Sequence, residues 1–124
     1  MKDNSLDYSI DKAPIAVYKV NENGKILYVN EKVTHNLQYS KKEMLGKYIH
    51  EIDPDFTPAI FEKHWQKLKQ EGNLKFKRYH RRQDGSVFPV EITSRLLQEE
   101  KEDYAIVFSQ DIEERERQQR QLEN

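Results

Sequence analysis

The sequence RRQDGSVFPVEIT, residues 81–93, has the pattern of a β-hairpin. The Asp-Gly pair at 84–85 predicts its turn, because both residue types tolerate the backbone angles of tight turns. After the turn, Phe88, Val90 and Ile92 alternate with outward-facing neighbours, which is the two-residue period of a strand with one buried face. This segment therefore predicts two paired strands with one face against a core.

The strand before that turn, LKFKRYHRR at 74–82, has a mixed inner face. The face that begins with apolar residues carries Leu74, Phe76, Arg78, His80 and Arg82. A two-residue turn would place Phe88 opposite Arg81, which belongs to the polar face. We therefore predict an odd-length loop or a bulge at the hairpin tip.

Three further segments have strand patterns, namely IAVYKV at 15–20, KILYVN at 25–30 and YAIVFSQ at 104–110. Asn23-Gly24 predicts a tight turn between the first two. The last strand is apolar on both faces, whereas an antiparallel strand with one wet face would alternate apolar with polar residues. Its outer face is therefore expected to be covered by an N-terminal helix or by a second subunit.

Helix signals fill the middle of the chain. The predicted starts are an Asn30 cap, a Ser40/Glu43 capping box and a Thr57-Pro58 start, and the longest helix is predicted to end at Gly72. On that helix Phe61, Trp65 and Leu68 share one face. Leu6, Ile10 and Ala13 have helical spacing, which predicts a short N-terminal helix.

Strands at both ends with helices between them predict an α+β fold with one five-stranded antiparallel sheet and short helices on one face. The boundaries are expected at 1–13 for an N-terminal helix or lead, 14–111 for the domain, and 112–124 for the start of a polar helix. That last helix has too few apolar residues to bury a face alone, so an effector domain is expected to follow it.

Composition excludes several classes of protein. The chain has 124 residues, a net charge of -1 and no cysteine. Balanced charge disfavours nucleic-acid binding, and the missing cysteine excludes disulfides, thiolate metal sites and covalent flavin–cysteinyl chemistry. No apolar run approaches the roughly 20 residues of a membrane span, and no signal peptide is visible, so we expect no membrane insertion by this segment and a cytoplasmic location.

Three motifs in order resemble the PAS family: GKILYVN at 24–30 followed by YSKKEMLGK at 39–47, RRQDGSVFPVEIT at 81–93, and SQDIEERE at 109–116. The resemblance covers about residues 14–118. It implies a five-stranded antiparallel sheet that encloses a small cavity with its helices. It also implies a non-catalytic regulatory domain of a longer protein, whose effector would be a histidine kinase or a diguanylate cyclase.

The candidate ligand-binding residues are Tyr18, Tyr28, Trp65, Arg78 and His80. A guanidinium beside an imidazole suits a carboxylate or phosphate group, because Arg offers a fixed fork of donors. The aromatic residues could stack on a ligand. The alternative is that the aromatic residues are core packing and that the charged ones reach surface acids.

The candidate signal-relay residues are Asp111, Ile112 and Arg115. The PAS resemblance implies that this aspartate pairs with basic residues and holds the exit helix in register. Asp111 alternatively acts only as a helix cap. A homodimer would convert a change of sheet geometry into a movement between paired exit helices, although this segment lacks a clean heptad pattern.

Other sites have weaker support in the sequence. His64 on the long helix invites a haem hypothesis, but the surroundings of a haem motif are missing, so haem is not expected. Glu51, Asp53 and Asp55 are predicted to lie in a solvated loop with helix-capping roles, and no pattern of catalytic or metal-ligating residues is present. In KFKRYHRR the charges alternate between strand faces, so they form no nucleic-acid patch.

Two functions remain open from the sequence. The first is a ligand-sensing, dimerising domain that passes a signal through its C-terminal helix. The second is a protein-interaction domain whose cavity is filled by its own bulky side chains, among them Tyr18, Tyr28, Trp65 and Phe88.

Overall fold

The computed structural model describes residues 9–123 and confirms the predicted α+β architecture. Its elements are β1 Ala16–Val20, β2 Ile26–Val29, α1 Glu31–Leu37, α2 Lys41–Met44, a 3-10 turn Ile49–Glu51, α3 Pro58–Glu71, β3 Asn73–Arg81, β4 Val87–Gln98, β5 Asp103–Asp111 and α4 Glu113–Glu123. The strands form one antiparallel sheet in the order β2-β1-β5-β4-β3. Because β1 pairs with β5, the two ends of the domain meet at the centre of the sheet.

The sheet buries one face against the helices. On β1, Ala16, Tyr18 and Val20 are almost completely buried, and they join residues of α1, α2 and α3 in one core. The inner face of β5 contributes Ala105 and Val107, which the alternation of a strand places on one side.

The β3–β4 hairpin has the predicted odd-length loop. His80 pairs with Phe88 and Arg81 with Val87, and the Arg82 amide donates to the Ser86 carbonyl at 2.8 Å. Three residues therefore form the loop, and Gly85 adopts φ of 90°, which glycine reaches without steric cost. This register puts His80 and Phe88 on the same inner face.

The helix caps lie at the predicted positions. Asn30 caps α1, and Ser40 with Glu43 forms a reciprocal capping box on α2. Thr57 caps α3 through its hydroxyl, and Gly72 ends that helix with φ of 78°. These local signals needed no tertiary information, because cap and helix are adjacent in the chain.

Strand β4 is longer than predicted. It continues past Ser94 to Gln98, and Leu96 pairs with Ala105 while Gln98 pairs with Asp103. The predicted charged turn shrinks accordingly to a connection in which the Glu99 amide donates to the Glu102 carbonyl at 3.1 Å. The backbone ladder offered by β5 outweighs the weak strand preference of polar residues.

The predicted N-terminal helix falls partly outside the described residues, since Leu6 precedes them. Residues 9–11 are helical, and the Ile10 carbonyl accepts a hydrogen bond from Asn30. Lys12 pairs with Glu31 at 2.5 Å, and Asp11 pairs with Lys41. These contacts attach the described end of this segment to α1 and α2.

Candidate functional site

A small cavity lies between the inner face of the sheet and helix α3. Its volume is about 30 Å³, and its wall includes four predicted ligand-binding residues, Tyr18, Trp65, Arg78 and His80. One water molecule needs about 10–15 Å³ of such space. The cavity as it stands therefore has room for a molecule not much larger than two waters.

Tyr28, a candidate ligand-binding residue in the sequence, does not line this cavity. A bulge in the β1–β2 pairing leaves Leu27 as an extra residue, with Lys19 opposite Tyr28 and Val20 opposite Ile26. An extra residue reverses the alternation of side chains. Both Leu27 and Tyr28 consequently lie on the outer face of the sheet.

Arg78 is held by an intramolecular partner. Its Nε and Nη2 atoms donate to the two carboxylate oxygens of Asp53 at 2.7 and 2.8 Å. The Asp53 carboxylate raises the pKa of Arg78, first through this hydrogen bond. The prediction that Asp53 lies in a solvated loop is wrong, because only 1% of the surface of Asp53 is exposed. Glu51 does have the predicted capping role, since its carboxylate accepts from the Tyr48 amide.

His80 is buried between two aromatic edges. Its ring lies 6.4 Å from that of Tyr18 and 6.3 Å from that of Phe88, and the residue is 5% exposed. Its Nδ1 atom has no hydrogen-bond partner among the described residues. Burial lowers the pKa of His80 to about 4, with Arg78 acting in the same direction and Asp53 in the opposite one. The imidazole is therefore neutral at pH 7.

His64, which the sequence singled out only for a haem hypothesis, lies in the wall of the cavity. Its ring centroid lies 4.7 Å from that of Phe76 and 5.4 Å from that of Phe56. Burial lowers its pKa to about 4 as well. The sequence could have indicated this position, because His64 follows Phe61 by three residues and side chains at that spacing are neighbours on a helix surface.

Because His64 and His80 are both held neutral, we expect the stability of the fold to decrease in acid. Below pH of about 6.5 the unfolded chain takes up protons on them, whereas the folded chain does so only near pH 4. The free energy of unfolding should therefore fall as the pH is lowered through this window. For His80 alone the loss between pH 7 and pH 5 is about 2 kcal/mol. Urea unfolding at the two pH values measures it.

The His80→Gln variant should lose less stability between pH 7 and pH 5 than the wild type, because glutamine does not titrate. The matched control is His35→Gln, since His35 is exposed on α1. An unchanged pH dependence in His80→Gln would show that His80 is not held neutral by its surroundings.

The exit junction, which we define as Asp111, Ile112 and Arg115 with their partners, joins β5 to helix α4. The Asp111 carboxylate accepts from the Glu113 amide at 2.9 Å and lies 3.8 Å from Arg82. The basic partner considered for Asp111 is present, but Ile112 occupies the position before the helix, and Asp111 accepts only from the first amide of α4. Ile112 is 3% exposed, and its amide donates to the Pro89 carbonyl at 3.1 Å.

Charged pairs then hold α4 to the hairpin. Arg115 pairs with Glu91 of β4 at 3.4 Å, and Glu116 pairs with Lys77 of β3 at 2.5 Å. Such exposed pairs are individually weak. Together with Ile112 they orient the first turn of α4 along β3 and β4.

Arg82 links three parts of the fold and was not singled out from the sequence. Its Nε donates to the Asn36 carbonyl at the end of α1, its guanidinium lies 4.0 Å from the centre of the Phe88 ring, and it faces Asp111. Phe88 in turn contacts His80. One chain of contacts therefore connects the cavity wall with the exit junction.

Comparison with known proteins shows which family has this sheet, cavity and exit helix. A family model described as a PAS domain matches residues 13–114, which is most of the chain. The chain belongs to the PAS domain family. PAS domains are in general sensory and non-catalytic.

A curated relative and two solved structures resemble this PAS domain. The methyl sulfide methyltransferase-associated sensor of Methanosarcina acetivorans is 33% identical over 87 residues, which are 70% of this chain and 9% of that protein. The PAS domain of an HTR-like protein from Haloarcula marismortui has a TM-score of 0.82 and 27% identity, covering 88% of this chain and 90% of that one. A PAS domain from a two-component sensor histidine kinase has a TM-score of 0.76 and 28% identity, covering 88% and 99%.

The outer face of the PAS sheet is apolar, as the last strand predicted. A shallow groove there is lined by Ile15, Val17, Leu27, Leu97, Ile106 and Phe108. Ile10 and Ala13 also border it, so the described end of the N-terminal segment covers part of this face. Ile15 and Leu27 keep 37% and 40% of their surface exposed.

Within residues 9–123, no three His, Asp or Glu side chains are placed together to hold a metal ion. In the same part of the chain no helix is both long enough and apolar enough to cross a membrane.

Proposed function

We propose that this PAS domain is a sensory module that binds a small ligand in the cavity and signals through helix α4. One observation carries the proposal: the strands that line the cavity also hold the exit helix. β3 and β4 contribute His80 and Ile92 to the cavity wall, and they contact α4 through Lys77 and Glu91. A ligand that shifts these strands would shift the helix with them.

The mechanism follows from two-state reasoning. A ligand changes an equilibrium only by its difference in affinity for the two conformations. In the conformation described here, Phe88 touches both His80 and Arg82, and Arg82 faces Asp111. A ligand that turns His80 or Phe88 would favour another position of Arg82 and, through it, of α4.

We further propose that the effector is a domain of the same polypeptide, such as a histidine kinase or a diguanylate cyclase, and that the protein is cytoplasmic. The likeness to a PAS domain of a sensor histidine kinase supports the kinase. This chain matches only 9% of its curated sensor relative, in keeping with a domain of a larger protein. The outer apolar face supports a homodimer in which a second copy covers Ile15 and Leu27.

The second candidate function is a protein-interaction domain with a self-filled cavity. The volume of about 30 Å³ favours it, because ligand pockets for larger molecules are about ten times bigger. Tyr18, Phe61 and Trp65 occupy the space that such a molecule would need.

The experiment that separates the two is gentle purification, native mass spectrometry, and identification of any released molecule. We expect one small molecule for each protein chain. Hydrogen exchange of the α4 amides, residues 113–123, should differ between the loaded and the stripped protein. The Asp111→Ala variant should bind the same molecule but show a smaller change in α4, since Asp111 accepts from the Glu113 amide and faces Arg82.

Two outcomes would count against ligand sensing. If no molecule is released and added compounds leave exchange in α4 unchanged, the protein-interaction function replaces it. If a molecule binds but α4 does not respond, the cavity is a ligand site without the proposed route of signalling.

A further inference from the structure

Strand β3 forms one edge of the sheet, because it pairs with β4 on one side only. The Arg82 amide donates to the Ser86 carbonyl across the hairpin, so the even-numbered residues of β3 bond to β4. The odd-numbered residues therefore direct their amides and carbonyls away from β4. The hydrogen bond from the Arg81 amide to the Ile52 carbonyl, 2.8 Å long, shows this direction at the end of the strand.

The middle of this edge has no partner strand. Lys75, Lys77 and Tyr79 are exposed and point their backbone groups outward, and no other segment within residues 9–123 bonds to these groups on that side. The nine residues of β3 pair regularly with β4 and include no proline. An unpaired, regular edge can accept one more strand. The stretch from Lys75 to Tyr79 is about 17 Å long, which suits a short extended peptide.

The lysines of this edge disfavour a second copy of the chain as the added strand. In an antiparallel pairing of two β3 edges over this stretch, Lys75 and Lys77 of one copy would lie beside those of the other. Like charges at neighbouring positions of paired strands are destabilising, and edge lysines oppose self-association in this way. A strand with carboxylates at every second position would instead place them beside both lysines.

Both lysines already have partners within the chain, but these pairs are exposed. Lys75 lies 3.5 Å from Glu91, and Lys77 lies 2.5 Å from Glu116 of α4. Exposed ion pairs contribute little to stability, so carboxylates of an added strand can compete for the two ammonium groups. When such a carboxylate takes Lys77, α4 loses one of the contacts that hold it to the sheet.

We propose that the open edge of β3 binds an extended acidic segment of a partner protein as an additional strand, in competition with Glu116 for Lys77. Hydrogen bonds to the backbone of Lys75, Lys77 and Tyr79 provide the affinity, and carboxylates at alternate positions provide the selectivity. This interaction is independent of the cavity and of any ligand in it.

A short capped peptide of alternating glutamate and valine tests the proposal, with amide–water exchange measured by NMR in the intact chain. The amides of Lys75, Lys77 and Tyr79 should exchange more slowly as the peptide is added. Those of Phe76 and Arg78 already face β4 and should change little. The amides of α4 should exchange faster, because Glu116 loses its partner. The same peptide with lysine in place of glutamate is the control and should have no effect.

Two variants separate the backbone contribution from that of charge. Lys77→Pro removes an outward amide and leaves the ladder to β4 intact, so it should abolish binding. The double variant Lys75→Gln/Lys77→Gln keeps every backbone group and should weaken binding by about tenfold, because two exposed ion pairs are lost. Lys101→Gln, the same change in the exposed β4–β5 connection, is the matched control and should bind like the wild type. The amide spectrum of each variant checks its fold.

Three results would overturn the proposal. Peptide binding without slower exchange at Lys75, Lys77 and Tyr79 would mean attraction to surface charge only. Equal effects of the acidic and the basic peptide would mean that charge does not select the partner. Slower exchange of the same amides on concentrating the chain alone would assign the edge to a second copy. Unchanged exchange in α4 with bound peptide would refute the competition for Lys77.

Discussion

Replacing Asn30 by aspartate should destabilise the domain by about 3 kcal/mol or more. Asn30 is completely buried, and its Nδ2 donates to the carbonyls of Ile10 and Ile15 at 2.9 and 2.8 Å. Its Oδ1 accepts from the amides of Val17 and Val33. Aspartate has the same shape but places a carboxylate oxygen against two carbonyl oxygens. Urea unfolding at pH 7 measures the loss.

The matched control is Asn23→Asp, the same chemical change at an exposed turn. It should leave the urea midpoint almost unchanged. Equal midpoints for Asn30→Asp and the wild type would contradict the hydrogen-bond assignment of Asn30. The amides of β1 should also exchange faster in Asn30→Asp, because the Ile15 carbonyl beside β1 would lose its donor and face a carboxylate oxygen instead.

Replacing Asp53 by asparagine should cost about 2–3 kcal/mol, because it leaves a largely buried guanidinium without its counter-charge. The side chain of Arg78 keeps 26% of its surface exposed, so the cost is less than that of a fully buried ion. Asparagine retains the shape of the side chain, which limits the change to charge and hydrogen bonding.

A double-mutant cycle with Arg78→Gln isolates the pair. The double variant Asp53→Asn/Arg78→Gln should be more stable than the sum of the single changes implies, because neither charge is then left alone. The control is Glu71→Gln, which removes an exposed pair with Lys67 on α3 and should have little effect. Additive single effects would mean that Asp53 and Arg78 do not stabilise each other in solution.

The local parts of the fold could be predicted from neighbouring residues. The cap at Thr57, the stop at Gly72 and the three-residue loop before Ser86 each depend on a few adjacent positions. The facing of β3 also followed from its alternation, because a strand has a strict period of two.

The prediction for Tyr28 failed for a reason that adjacent residues do not reveal. Its side chain would face inward if β2 alternated regularly, but the bulge opposite Lys19 reverses the alternation. The position of a bulge depends on how two strands are paired, so it cannot be predicted from the alternation of one strand.

The site shows the same division. Arg78 and His80 could be assigned to the inner face of β3 from alternation, and Trp65 to the face of α3 that carries Phe61 and Leu68. The partners could not: Asp53 is 25 positions from Arg78, and Arg82 reaches Asn36 across 46 positions. Contacts at such separations depend on how the elements pack.

The amino-acid sequence by itself determined the element order, most helix ends and the inner faces of β3 and β4, because these depend on backbone preferences and side-chain periodicity within short segments. Only the tertiary structure decided that Asp53 neutralises Arg78, that the cavity closes to about 30 Å³ and that His80 Nδ1 has no partner within residues 9–123. Charge pairing and the space left between side chains arise where distant segments meet, so the chemistry of this site becomes defined only on folding.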